Sequence, residues 1–332
     1  LALAFGAWAT WASSSDDPPD PVLPFPIHAP PNAPPRATTP SALRVLTWNI
    51  AYARGPGWEL GEPDCAAFER NLETIAAQIE RHRPDLVALQ EVDLGSDRSC
   101  RVDQAAWLRR RLPDWPYEAH VTVWKLNHLP WPLWPPSKHM GHIHQGQAVL
   151  SRYPIVRNVR LRYPQPASYG AIKNRFFLKR AAQWTTVELG ELELDLYSVH
   201  LESRDPPTRR LQTLRLADDL QGRAGRLALA VGDFNALPAR AEPRQGFDDN
   251  PWADFRGDDC LARFSEQLPG WREAWEDRAE REGYTFPALA PNRKLDHQWA
   301  APGVRVVRAQ VLDLGPDAPS DHRPLLVDYS LP

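Results

Sequence analysis

The sequence predicts an α/β fold in which strands outnumber helices and the helices lie outside one mixed β-sheet, or two. Three observations predict it. Short apolar, β-branched runs recur from residue 43 to residue 331, each bounded by turn residues. Two of them, 183–189 and 192–199, meet at Gly190 as the arms of an antiparallel hairpin would. Others are separated by stretches with helical spacing, so the sheet is mixed rather than purely antiparallel. The composition agrees. Of 332 residues, 42% are hydrophobic and 24% charged, which excludes a disordered or collagen-like chain.

The first forty residues differ from the rest. Residues 1–12, LALAFGAWATWA, are apolar or small. They are too few to span a bilayer, which takes about 20. They suit the remnant of a signal sequence or membrane anchor over 1–17, with an apolar segment packed on the domain as the alternative. Between residues 18 and 40 stand ten prolines, and such a stretch cannot form a helix or an inner strand. It predicts an extended linker, with a globular body over 41–332. This order suggests a secreted, extracytoplasmic or membrane-anchored protein.

In the body, LRVLTWNI (43–50) reads as a buried strand. Asp64 is placed to cap a helix over 66–82, where Phe68, Leu72, Ile75 and Ile79 share one face and Pro84 stops the run. Strands are expected at 85–92, 146–155, 181–189, 192–201 and 227–234, with a helix over 209–222. KLDHQWA, VRVVRAQVL and RPLLVDYSL complete the series.

Polar residues stand where these apolar strands run out. Asn49, Glu91, His200, Asp233 and Asn235 each follow a strand, Asp296 opens one, and Asp321 and His322 precede another. Each alone has an ordinary structural explanation: a strand-end carboxylate caps or pairs, GDFN makes a tight turn, and SDH turns into a strand. Together they suit a hard divalent cation and a phosphate, because buried carboxylates are costly unless paired or metal-bound. The cysteine and histidine spacing offers no structural zinc site. His139, His142 and His144 form a separate histidine cluster, readable as a metal site or as solvated histidines.

The motifs TWNI (47–50), LQEV (89–92), GQAVLSRYPI (146–155), VHLES (199–203), GDFNALP (232–238), LDH (295–297) and SDHRPLL (320–326) resemble, in this order, the endonuclease/exonuclease/phosphatase superfamily. The resemblance implies a four-layer sandwich, two mixed β-sheets face to face with helices on both outer sides. It implies hydrolysis of a phosphodiester by metal-assisted water attack, with Mg²⁺, or alternatively Mn²⁺, as cofactor. By the same resemblance Glu91, Asn49 and Asp321 would hold the metal. Asp233 and Asn235 would orient the water, His322 with Asp296 would act on water or phosphate, and His200, Asn235 and Arg180 would contact the phosphate. Lys179, beside Arg180, offers a second charge. A non-catalytic binding module on the same scaffold is the alternative to an enzyme.

The substrate is open between nucleic acid and phospholipid. Net charge is −3, of which −2 precedes residue 41, so no global basic field favours nucleic acid. Arg109–Arg111 and Arg204–Arg210 are local candidates. Residues 124–136, WKLNHLPWPLWPP, carry Trp124, Trp131 and Trp134, a composition that suits a membrane interface, a substrate mouth or a loop over the core. Membrane contact is thus expected through 1–12 and 124–136. Cys65 and Cys100 flank the Glu91 strand and form either a disulfide or two thiols, leaving Cys260 over.

Overall fold

The computed structural model describes residues 2–31, 38–57, 64–276 and 278–332. In chain order it contains α1 (Ala2–Ala12), β1 (Val22–Pro24), β2 (Ile27–His28), β3 (Ala42–Asn49), α2 (Cys65–His82), β4 (Leu86–Asp93), α3 (Gln104–Arg111), β5 (Tyr117–Leu129), β6 (Gly141–Ser151) and β7 (Ile155–Arg162). There follow α4 (Ala171–Phe176), β8 (Ala181–Leu189), β9 (Leu192–His200), α5 (Pro206–Gln221), β10 (Leu227–Asp233), β11 (Gln245–Phe247), β12 (Asn250–Asp254), α6 (Cys260–Gln267), β13 (Arg272–Glu273), β14 (Asp296–Ala300), β15 (Arg305–Val311) and β16 (Leu325–Ser330). Two seven-stranded sheets result. Sheet I runs β1-β7-β8-β9-β10-β14-β13, and sheet II runs β15-β16-β3-β4-β6-β5-β2.

Alternation along the strands makes four layers. In β3, Leu43 and Val45 face Leu194, Leu196, Leu229 and Val231 of sheet I, forming the core between the sheets. Leu46 and Trp48 turn the other way, against Phe68, Leu72, Ile75 and Ile79 of α2 and Leu108 of α3. Outside sheet I, Leu216 and Leu220 of α5 and Phe264 of α6 cover Tyr197 and Val199. The strand period of two places each successive side chain in a different layer. Buried glutamines bridge the two sheets. Gln147 Nε2 donates to Ala181 O (2.8 Å), Gln183 Nε2 to Ala119 O (2.9 Å) and Gln298 Nε2 to Leu325 O (2.9 Å).

The helix over 65–82 begins where expected, with the Asp64 carboxylate accepting from Ala67 N. The stretch 146–155 differs from expectation: it is not one strand. β6 ends at Ser151 in sheet II and β7 starts at Ile155 in sheet I. Ser151 Oγ accepts from Tyr153 N and donates to Tyr153 O, which closes the turn, and Pro154 has no N–H to continue the ladder. Residues 124–129, expected in a loop, are the last six of β5.

The Pro-rich stretch is extended and lies on the body, as far as it is described. β1 pairs with β7 and β2 with β5, so this arm forms an edge strand on each sheet, the position that prolines tolerate. Buried Asp17 pairs with Arg160 and Arg162 and fastens its start. Residues 32–37 of the expected linker lie outside the described residues. Cys65 and Cys100 are joined by a disulfide, and Cys260 is a buried thiol. No described helix is long and apolar enough to cross a membrane.

Candidate active site

Strand register assembles the cleft. In sheet I, Asp233 of β10 lies opposite His200 of parallel β9 and Asp296 of antiparallel β14, so three polar residues form one rung. Gly232 makes the close approach possible: its φ is +135°, and a Cβ there would lie 2.1 Å from Val199 O. In sheet II, Asn49 pairs with Gln90 of β4, and the ladder is irregular between Leu89 and Val92. Glu91 sits in that irregularity at φ 54°, a bulge that re-aims its carboxylate. Asn49 Nδ2 joins the two sheets, 3.1 Å from Asp233 Oδ2 and 3.4 Å from Glu91 Oε1.

The last segment is docked by Ser320, whose Oγ donates to Asn49 O (2.6 Å) and accepts from His322 N (3.1 Å). Trp48 Nε1 donates to His322 O (2.9 Å). His322 Nδ1 meets Asp296 Oδ2 at 2.8 Å, and its Nε2 lies 3.8 Å from Asp233 Oδ2. Phe286 covers the ring at a centroid distance of 4.7 Å. The GDFN segment is also the tight turn its composition suggests: Asp233 Oδ1 accepts from Asn235 N (2.9 Å), with Asn235 at φ 50°. Asn235 Nδ2 donates to Leu201 O (3.1 Å).

Burial and charge set the protonation states. Burial lowers the His200 pKa well below its usual value, and Arg180 and His322 add to the effect. Arg180 donates from Nη1 to His200 Nε2, so that nitrogen is an acceptor and the ring is neutral. Its approaches to Asp233 (3.5 Å) and Glu91 (3.7 Å) are therefore not ion pairs. Burial raises the Asp233 carboxyl to about 7. At His322 burial acts downward, but Asp296 and then Asp233 outweigh it and raise the imidazole to about 10.

Asn49, Glu91, His200, Asp233, Asn235, Asp296, His322 and Arg180 thus surround one cleft. Asp321 is beside it, with its carboxylate engaged by Arg54. Lys179 is not part of it: its charged neighbours are Arg162, Asp17 and Arg160 on the arm side. The other histidine cluster does not converge. His144 Nε2 meets Thr122 Oγ1 at 2.9 Å, and His139 Nδ1 meets His128 Nε2 at 2.8 Å. Sequence reasoning missed Arg54, Phe286 and Lys294, whose Nζ donates to Asp296 O (2.6 Å) and Glu273 Oε1 (3.0 Å). Loop geometry brings Arg54 and Phe286 to the cleft and no local pattern marks them, whereas Lys294 stands two residues before Asp296.

The chain belongs to the endonuclease/exonuclease/phosphatase family, whose sequence model matches residues 46–322. Members of this family are hydrolases of phosphoester bonds. Among solved structures, the chain is similar to an endonuclease/exonuclease/phosphatase from Beutenbergia cavernae, with a TM-score of 0.63 and 22% identity over 88% of this chain and 72% of that one. It is similar to D. rerio TDP2 complexed with a single-strand DNA product (0.59, 15%, 88% and 100%). It is also similar to the mannosyl-6-phosphatase of Bacteroides thetaiotaomicron (0.56, 17%, 87% and 100%). At these identities the likeness shows the fold. No curated protein matches the chain.

Proposed function

We propose that this protein is a divalent-metal-dependent phosphodiesterase. The observation that carries the reading is the Asn49 bridge, which holds the Glu91 and Asp233 carboxylates of two different sheets in one cleft. The donor set fits Mg²⁺. Glu91 offers carboxylate oxygens, and a hard cation needs only one or two carboxylates besides water and substrate; Asn49, whose Oδ1 accepts from Ala51 N, would add its oxygen on turning its amide. Asp321 would join them on leaving Arg54. Mg²⁺ supplies, when bound, charge neutralisation at the phosphate and its polarisation toward attack. Asp233, raised to about 7, is poised to take the proton of an attacking water. The imidazolium of His322, oriented by Asp296, faces the developing negative charge. Arg180 and Asn235 bind phosphate oxygens, and His200 fixes the Arg180 guanidinium.

The substrate we favour is a phosphodiester at a lipid surface. β6 runs antiparallel to β4, so the β5–β6 hairpin extends past Glu91, and its loop leaves at the cleft end of sheet II. That loop exposes Trp131, Leu133 (72%) and Trp134 (80%). α1 docks on the same hairpin: Asn127 Nδ2 donates to Trp11 O (3.1 Å), and Trp11 stacks on His128. The basic stretches suit nucleic acid less. Arg111 pairs with Glu73 and Glu80, Arg209 with Asp258 and Arg210 with Asp259. The disulfide suits an oxidising compartment, which supports a secreted or membrane-held enzyme outside the cytoplasm. The test is hydrolysis of a bis-aryl phosphodiester with and without Mg²⁺, then of plasmid DNA against phospholipid vesicles. Metal-dependent turnover with preference for vesicles is expected. Absence of turnover with any metal would leave the binding-module reading, and preference for DNA would reverse the substrate assignment.

A further inference from the structure

A second group of metal-ligand side chains lies away from the cleft, at the free edge of sheet II. It comprises His28 of β2 with Glu118 and His120 of β5. The β2–β5 register sets His28 opposite Glu118 and Ile27 opposite Ala119. Glu118 and His120 are two residues apart on one strand and so share a face. One ligand atom from each of the three lies within 4.8 Å of the others. Glu118 Oε1 is 2.8 Å from His120 Nδ1, and its Oε2 is 3.8 Å from His28 Nε2. The two imidazoles stack at a centroid distance of 5.8 Å and an interplanar angle of 21°. The Glu118 side chain is 1% exposed, whereas His28 is 40% exposed, so the group has a buried floor and an open mouth.

We propose that His28, Glu118 and His120 bind a transition-metal cation, Zn²⁺ being the best match, and that the ion clasps the amino-terminal arm to the body. Two imidazoles and a carboxylate make a ligand set that zinc takes, with water in the fourth position. Imidazole donors select zinc, copper or nickel over Mg²⁺, so this site differs in kind from the oxygen-donor cleft. The ligands come from strands about ninety positions apart in the sequence, and the ladder pairing preorganises them. The arm has only a two-residue strand on this edge, so a metal bond there adds to a short ladder. Arg109 is the opposing feature. Its Nε lies 3.7 Å from Glu118 Oε2 and makes no hydrogen bond. In the absence of an ion it complements the carboxylate; with an ion present it repels. The inference does not depend on the chemistry of the cleft.

The experiment is a Zn²⁺ titration of the full chain against a chromophoric chelator, with Mg²⁺ in excess. It is run in a Glu91→Gln/Asp233→Asn background so that the cleft does not contribute. One zinc per chain is expected, and His28→Gln and His120→Gln should each weaken binding about tenfold or more. Arg109→Gln should tighten it, because a positive charge beside a ligand is removed. Co²⁺ should give visible ligand-field absorption that both histidine variants lose. Zinc should raise the melting temperature of the parent but not of His28→Gln, whose half-exposed edge position leaves the fold intact. No stoichiometric zinc would overturn the proposal. So would zinc binding unchanged in both histidine variants, which would assign the ion to another place.

Discussion

In the proposed reaction His322 and Asp233 divide the acid–base work, because their surroundings push both titrations upward for different reasons. Asp233 rises by burial, and His322 rises because Asp296 and Asp233 outweigh burial. On that proposal turnover requires Asp233 deprotonated and His322 protonated, so the pH–rate profile should climb through about 7 and fall through about 10. Asp296→Asn removes the larger of the two charges that raise His322, and the alkaline limb should move down toward neutrality. A limb that stays in place would show that another group titrates there. Asp233→Asn and His322→Ala should each lower kcat by about 10²–10⁴-fold with the far-UV circular dichroism of the folded protein retained. Unchanged rates in either would remove that residue from the chemistry. Most of these residues were legible because an apolar strand advertises its own end, and a polar residue there has few neutral explanations once eight recur in order at six strand ends. The neutral state of His200 was not legible. It depends first on burial and then on Arg180 donating to Nε2, a contact between residues twenty positions apart that the β8–β9 pairing creates.

At the scale of elements, the cleft rests on how β10 is held between β9 and β14. Gly232→Ala would drive a methyl to 2.1 Å from Val199 O, and β10 would have to part from β9. Loss of the folded state, or at least of all turnover, is expected, measured by melting and by the bis-aryl assay. On the far side, β13 contributes Glu273, packed against Lys294 and His297. Burial opposes its charge, but Lys294 and His297 outweigh it and lower the carboxyl to about 2. A depressed acid stabilises the fold above its ordinary value of 4.5 and loses that contribution as pH falls toward about 2. Glu273→Gln leaves the Lys294 ammonium, 1% exposed, without its carboxylate, at a cost of about 3–5 kcal/mol at neutral pH. Urea denaturation across pH 2–6 should show a flatter acid dependence in the variant, and parallel curves would refute the pair's role. The sequence displayed the long strands through their apolar runs. It did not display β13, a two-residue strand without alternation, or the edge strands inside the proline-rich arm. Prolines veto inner strands and leave the edges open, so reading them only as a linker was too strict.

The whole molecule places the candidate cleft and one group of exposed apolar side chains at the same end. The Cys65–Cys100 bond ties the start of α2 to the chain just after β4, a separation of 35 residues. Opening it with a reductant should cost about 3–4 kcal/mol in urea denaturation, because the unfolded chain regains that loop. The exposed surface bears on the substrate. Trp131 and Trp134 stand on the hairpin that extends past Glu91, and a cluster of Trp124, Leu126, Leu129 and Ile143 packs that hairpin against Phe176 and Leu178. α4, at the same end, exposes Ile172 and carries Lys173 and Arg175. Indoles and basic side chains at one end of a molecule are what an anionic phospholipid surface attracts. Burying one indole edge contributes about 1.4 kcal/mol, so Trp131→Ala and Trp134→Ala should each weaken vesicle binding about tenfold. Neither residue touches the cleft groups, so the rate on a soluble bis-aryl phosphodiester should stay within about twofold of the parent. Vesicle sedimentation and the soluble assay, run on the same preparations, separate the two effects. Equal loss in both would mean that the loop supports the fold rather than the interface. Unchanged sedimentation in the double variant would move the lipid contact elsewhere, or remove it.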